Sequence, residues 1–253
     1  MAHYFQPVSV CIGGDIDSEI DVWFLPGFGR SQRCWWRAFN EPIARSARLL
    51  TFDLPGAGST PARADGLTVY DCAAVWGTLV DSISRSRRVV LVAHSTAGII
   101  AAETVQRLDR LPMLVISVEG NLTSADAYYS GQAAQYGDSE TFYSVFLATM
   151  GELARDKKIP TDYCECLRVA DPHTLWTLGR SVVSYSEPGR AFATLPCPKV
   201  YYWDEASTLL ESRRFLAQGE IMQRQFSGVG HWPMSTSPVS FYAALEADIV
   251  SAM

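Results

Sequence analysis

Six short runs rich in Val, Ile, Leu and aromatic residues recur along the chain at 20–25, 47–52, 88–93, 113–118, 199–203 and 221–226, and most are separated by helical patterns. The clearest helical pattern places Val69, Cys72, Trp76, Leu79, Val80 and Ile83 on one stripe, with Thr68 or Asp71 as the entry cap. Two more run over 97–108 and 238–250, the latter with Phe241, Leu245 and Ile249 at four-residue steps. Apolar strands alternating with helices predict an α/β fold whose mostly parallel sheet is covered on both faces. Ligands of such sheets bind at the carboxyl ends of the strands.

The alternation breaks once. Residues 122–195 contain no convincing strand and are loaded with aromatics: Tyr128, Tyr129, Tyr136, Phe142, Tyr143, Phe146, Tyr163, Trp176, Tyr185 and Phe192. The expected organisation is a core from 1–121 and 196–253, with 122–195 as a helical cap walling off an apolar pocket at the carboxyl edge.

Composition narrows the function classes. A chain that is 48% hydrophobic and 19% charged is not disordered. Its 21 Lys and Arg against 27 Asp and Glu leave a net charge of −6, which offers phosphate backbones nothing. Arg85-Ser86-Arg87-Arg88 is read as a solvated strand entry, so no nucleic-acid partner is expected. The six cysteines lack C-x-x-C spacing, and Cys164 and Cys166 are too close for a zinc half-site, so no metal is expected. No basic region followed by an apolar stretch opens the chain, and no window approaches 18 apolar residues. A soluble cytoplasmic protein without a membrane partner is expected, and homo-oligomerisation is left open.

The chemistry centres on Arg88-Val-Val-Leu-Val-Ala-His-Ser95-Thr-Ala-Gly98, where a buried strand runs into Ser95 and a helix begins within two residues. Such a turn needs small neighbours, here Ala93 and Ala97 backed by Gly98, and it exposes the hydroxyl beside a positive helix end. It resembles the nucleophile elbow of the α/β-hydrolase family, with both glycines of G-x-S-x-G replaced by Ala. Phe24-Leu-Pro-Gly-Phe-Gly29 resembles that family's H-G-x-G loop with Pro26 in place of His, and Phe52-Asp-Leu-Pro-Gly-Ala-Gly-Ser59 resembles its D-x-x-G-x-G-x-S loop. The second loop lacks both the G-x-G-x-x-G spacing and a Walker lysine, so no nucleotide or other cofactor is expected. The resemblance implies oxyanion donors at the Phe28 and Thr96 amides.

Four histidines compete for the role of base. His3 is terminal, His94 adjoins Ser95 and is expected to point away from its hydroxyl, and His173 lies in the inserted segment. His231, in Ser227-Gly-Val-Gly-His-Trp-Pro-Met234, matches the family's catalytic histidine in position and chain order. The acid stays open. Ser207 stands where most relatives carry Asp, leaving Asp204 and Glu205 at the wrong offset, whereas Glu119 follows the strand after the elbow helix, as in some members. Glu119 is the first candidate, Asp204 and Glu205 are alternatives, and a dyad without an acid remains.

These residues imply a serine hydrolase acting through an acyl-enzyme. The aromatic insertion and the acidic balance suggest a small, uncharged, fairly apolar ester, lactone or thioester. A C–C bond hydrolase, a cofactor-free lyase or oxygenase, and a small-molecule receptor with a slow triad are the alternatives.

Overall fold

Each of the six apolar runs forms a strand, and a seventh precedes them. The computed structural model describes residues 7–219 and 221–253, so His3 and the rest of the first six residues lie outside the described residues. The strands are β1 (Val10–Gly14), β2 (Ile20–Leu25), β3 (Arg48–Phe52), β4 (Arg88–His94), β5 (Leu114–Val118), β6 (Lys199–Asp204) and β7 (Met222–Phe226). They form one sheet in the order β1-β3-β2-β4-β5-β6-β7, with β1 antiparallel to β3 and every other neighbour parallel. β2 and β5 are buried at every residue, as both-face coverage requires. β1 was not expected, because an exposed Val-Cys-Ile-Gly-Gly edge shows no buried alternation and becomes a strand through pairing with β3.

Helices α1 (Val69–Ile83) and α2 (Ala97–Val105) pack against one another. Both candidate caps of α1 are used: the Asp71 amide donates to the Thr68 hydroxyl oxygen at 3.1 Å, and the Thr68 amide donates to the Asp71 carboxylate at 2.9 Å. Between β5 and β6 lies the helical insertion, comprising α3 (Ser139–Arg155), α4 (Thr161–Arg168), α5 (Pro172–Ser184) and α6 (Pro188–Ala193). It rests on loops at the carboxyl edge of the sheet. The Asp171 amide donates to the Gly56 carbonyl at 2.8 Å, and the Leu67 amide to the Thr177 hydroxyl at 2.9 Å. The Phe28 and Phe146 rings meet edge to face at 5.8 Å. After β6 come α7 (Leu210–Gln218), β7, the short α8 (Pro233–Thr236) and α9 (Pro238–Ser251). Among the described residues no helix is long and apolar enough to cross a membrane.

One charge is buried at the opposite edge. Asp21, fully buried on β2, accepts from Arg48 Nε at 2.7 Å and Nη2 at 2.6 Å and from the Ser84 hydroxyl, which also accepts from the Trp23 indole at 2.9 Å. Asp21→Ala would strand the largely buried Arg48 guanidinium. The expected loss is about 3 kcal/mol, read from the urea midpoint at unchanged m-value.

Candidate active site

Ser95 is the single residue left between the end of β4 and Thr96, and the chain must reverse there to start α2. It does so at a φ of +56°, a left-handed conformation that costs a non-glycine residue about 1–3 kcal/mol. The Ser95 amide donates to the Val118 carbonyl at 2.8 Å, tying the turn to the end of β5, and the Gly98 amide donates to the Ser95 carbonyl at 2.8 Å. Ala93 and Ala97 are completely buried, so their methyl groups fit. The crowding falls instead on Gly27, where a Cβ would stand 2.9 Å from His94 Nδ1 and 3.0 Å from Ser95 Cβ, and on Gly120, where it would stand 2.2 Å from the Ser117 hydroxyl. Glycine at position 27 therefore lets this loop pack directly against His94 and Ser95. Among the described residues neither the Phe28 nor the Thr96 amide donates a hydrogen bond.

His231 sits on a loop turned by Gly228 and Gly230, at φ +69° and +68°. Asp204 organises that loop: its buried carboxylate accepts from the Val229 amide, from the Gly230 amide at 2.8 Å and from the Ala206 amide at 2.8 Å. Burial pushes the Asp204 carboxyl up, but these amides outweigh it and hold the group below its ordinary value. Glu119, at a φ of +50°, is buried after β5. Its Oε1 accepts from the Asp204 amide at 2.6 Å and the Thr208 hydroxyl at 3.2 Å, and its Oε2 lies 3.5 Å from His231 Nδ1. Glu205 is mostly exposed and pairs with Arg213 at 2.8 Å. Of the candidate acids, the structure brings Glu119 to the imidazole, gives Asp204 to the loop's backbone and leaves Glu205 outside.

His94 does more than the strand alternation suggested. It is buried, its ring lies 4.9 Å from that of His231, and its Nε2 donates to the His231 carbonyl at 2.7 Å. Burial, then the neighbouring His231, pushes its pKa far down despite that bond, so the ring is neutral with its proton on Nε2. Tyr128 was one aromatic among many in the sequence, yet its hydroxyl lies 3.1 Å from His231 Nδ1. Nothing local distinguishes Tyr128 or Thr208, because both reach the site from segments remote in sequence.

Ser95, Thr96, Phe28, His231, Tyr128 and Arg30 line one cavity of about 20 Å³, room for about one water. An apolar cavity of equal size lies alongside, walled by Leu54, Leu67, Ile100, Leu175 and Leu178, and shares Gly27, Phe28, Arg30 and Thr96 with the first. A groove of about 580 Å³ runs from Lys157 and Lys158 to His231 and Trp232. A larger concavity, about 750 Å³ around Arg85, Arg87 and Arg110, holds none of these groups. His173 lines neither small cavity.

A model of the alpha/beta hydrolase family matches residues 24–245. No curated protein matches the sequence. Solved structures do, at low identity. An esterase from Thermogutta terrifontis aligns at 13% identity over 97% of this chain and 93% of that one, with a TM-score of 0.75. An esterase from Exiguobacterium antarcticum aligns at 13% over 96% and 95%, with a TM-score of 0.76. The N-acyl homoserine lactonase AidH aligns at 13% over 97% and 93%, also at 0.76.

The Asp204 contribution has a pH signature. A carboxylate whose folded pKa is depressed stabilises above its unfolded value, near 3.9, and loses that contribution as pH falls through the lower folded value. Asp204→Asn should therefore lower the thermal midpoint at pH 7 and flatten its decline below about pH 4 relative to wild type.

Proposed function

This chain belongs to the alpha/beta hydrolase family, and we propose that it is a serine hydrolase cleaving a small, fairly apolar carboxylic ester, lactone or thioester through an acyl-enzyme. The observation that carries the reading is Ser95 held at φ +56° on a strand-to-helix turn, in a cavity that also contains His231, whose Nδ1 is 3.5 Å from buried Glu119.

In this mechanism His231 Nε2 takes the Ser95 proton as Oγ attacks the acyl carbon. The carbonyl π electrons move onto oxygen, which the Phe28 and Thr96 amides receive, each worth about 3 kcal/mol in the transition state. Collapse expels the alcohol, thiol or ring oxygen, which takes the proton from His231. Water then repeats the sequence on the acyl-enzyme and releases the acid. Glu119 keeps the Nδ1 proton on its own side and stabilises the imidazolium; Tyr128 offers a second acceptor to the same N–H. The helical insertion acts as the cap. Two cavities with room for about one water each are too small for an acyl chain, so the cap must shift to admit substrate. The apolar cavity beside Phe28 and Thr96 suits the acyl part. The open groove at His231, the group that protonates the leaving atom, suits the leaving part.

Treatment with a fluorophosphonate should add a single adduct to the intact mass of wild type and none to Ser95→Ala. Folded wild type that takes up no adduct would sink the proposal. Glu119→Gln should lower kcat by about a thousandfold or more, because the imidazole loses the partner that fixes its tautomer. Tyr128→Phe leaves Glu119 in place, and steady-state rates should show a change of less than about tenfold.

A further inference from the structure

Arg30 takes no part in the acyl transfer itself. It stands two residues beyond Phe28 on the oxyanion loop, with its side chain 1% exposed. Nη2 donates to Asp162 of α4 at 2.5 Å, and Cζ lies 5.9 Å from the centre of the Tyr163 ring. Nε and Nη1 are buried and, among the described residues, have no acceptor. A guanidinium cannot escape this by losing its proton, so its remaining N–H groups demand an acceptor. Among the described residues, none of the polar groups that share the cavity wall hydrogen-bonds to these two nitrogens. Asp126, also in the cavity wall, makes no hydrogen bond or ion pair with Arg30; its Oδ2 accepts from the Leu122 and Thr123 amides, both at 2.8 Å, and from the Ser212 hydroxyl at 2.6 Å. Glu119 is held by the Asp204 amide and Thr208 on the far side of His231.

We propose that Arg30 is an anion-recognition residue, and that the substrate carries a carboxylate in its acyl part which the free N–H groups of Arg30 receive. The proposal rests on the hydrolase reading and narrows its substrate class. The side of the substrate follows from the cavities. Arg30 belongs to the walls of both small cavities, the one at Ser95 and the apolar one, and not to the wider groove at His231. A carboxylate there would lie on the acyl side, with the scissile carbonyl and the anion gripped by one loop, Gly27–Arg30. The site thus fits a hemi-ester or lactone whose acyl chain is short and apolar but ends in a carboxylate. This departs from the uncharged substrate expected from a net charge of −6, since one buried cation beside the serine sets the local field more strongly than distant, screened surface charges. Asp162 is half exposed and holds Arg30 through one contact, so an arriving carboxylate competes with it and strains the link between loop and cap.

The test compares two substrates with the same leaving group: the p-nitrophenyl hemi-ester of glutaric acid and the p-nitrophenyl ester of glutaramic acid, which carries an amide in place of the acid. Wild type should prefer the acid in kcat/KM by about tenfold or more, Arg30→Gln should bring the ratio to within about twofold of one, and Asp162→Asn should keep or raise it. The ratio is internally normalised, so an overall loss of rate in Arg30→Gln does not obscure it. Equal or better turnover of the amide by wild type, or an undiminished ratio in Arg30→Gln, overturns the proposal. If Arg30→Gln fails to fold, competition in wild type decides, because glutarate should inhibit and glutaramide should not. Binding is also read without the serine: glutarate should raise the Tm of Ser95→Ala more than glutaramide does, and equal shifts overturn the proposal. A Ser95 that takes no fluorophosphonate while glutarate still binds would sink the hydrolase reading and leave Arg30 standing.

Discussion

The site depends on two residues turned into left-handed backbone at the ends of neighbouring strands, Ser95 after β4 and Glu119 after β5. Neither is glycine, so each stores strain of about 1–3 kcal/mol that the surrounding sheet must outweigh. Hydrogen bonds carry the pairing of the strands past their ends: Ser95 donates to Val118, the Glu119 amide donates to Tyr202 at 2.9 Å, and the Asp204 amide donates to the Glu119 carboxylate. Ser95, Glu119 and Asp204, the organiser of the histidine loop, are therefore consecutive steps across β4, β5 and β6. The completely buried Val90, Leu91, Val92 and Ala93 of β4 and Val115, Ile116 and Val118 of β5 supply the rigidity.

His231 has no secondary structure to hold it. Its loop is fixed through main-chain groups, with Asp204 receiving the amides of Val229 and Gly230 while His94 donates to the His231 carbonyl. That use of Asp204 explains why a carboxylate lying at the family's usual strand end serves a different purpose here. Its oxygens are occupied by amides, so the imidazole is left to Glu119 and Tyr128. A neutral His94 suits the same design, because a second positive charge beside His231 would oppose formation of an imidazolium.

The insertion closes the carboxyl edge with aromatic packing and a few polar ties, among them Arg30 to Asp162 and Leu67 to Thr177. The space left at Ser95 is about the size of a water. Electrostatic interactions inside such a space are strong, so the placement of Arg30 there outweighs the average charge of the surface.

Periodicity in the sequence carried the parallel sheet, the helices and the strandless insertion, because buried strands and amphipathic helices write their burial into the order of residues. The edge strand β1 escaped, since its structure comes from pairing rather than from its own pattern. Local spacing likewise singled out Ser95, the Phe28 loop and His231, which the fold brings to one cavity, each in a short stretch whose backbone demands small residues. It left the acid open among Glu119, Asp204 and Glu205, and gave no role to Tyr128, Thr208, His94 or Arg30. Those assignments depend on which side chains meet across strands and across the insertion, at separations of 85 residues between Asp204 and Glu119 and 132 between Arg30 and Asp162. Contacts of that range are decided by the packed tertiary structure, because side-chain direction and the competition for each buried donor exist only once the chain has closed.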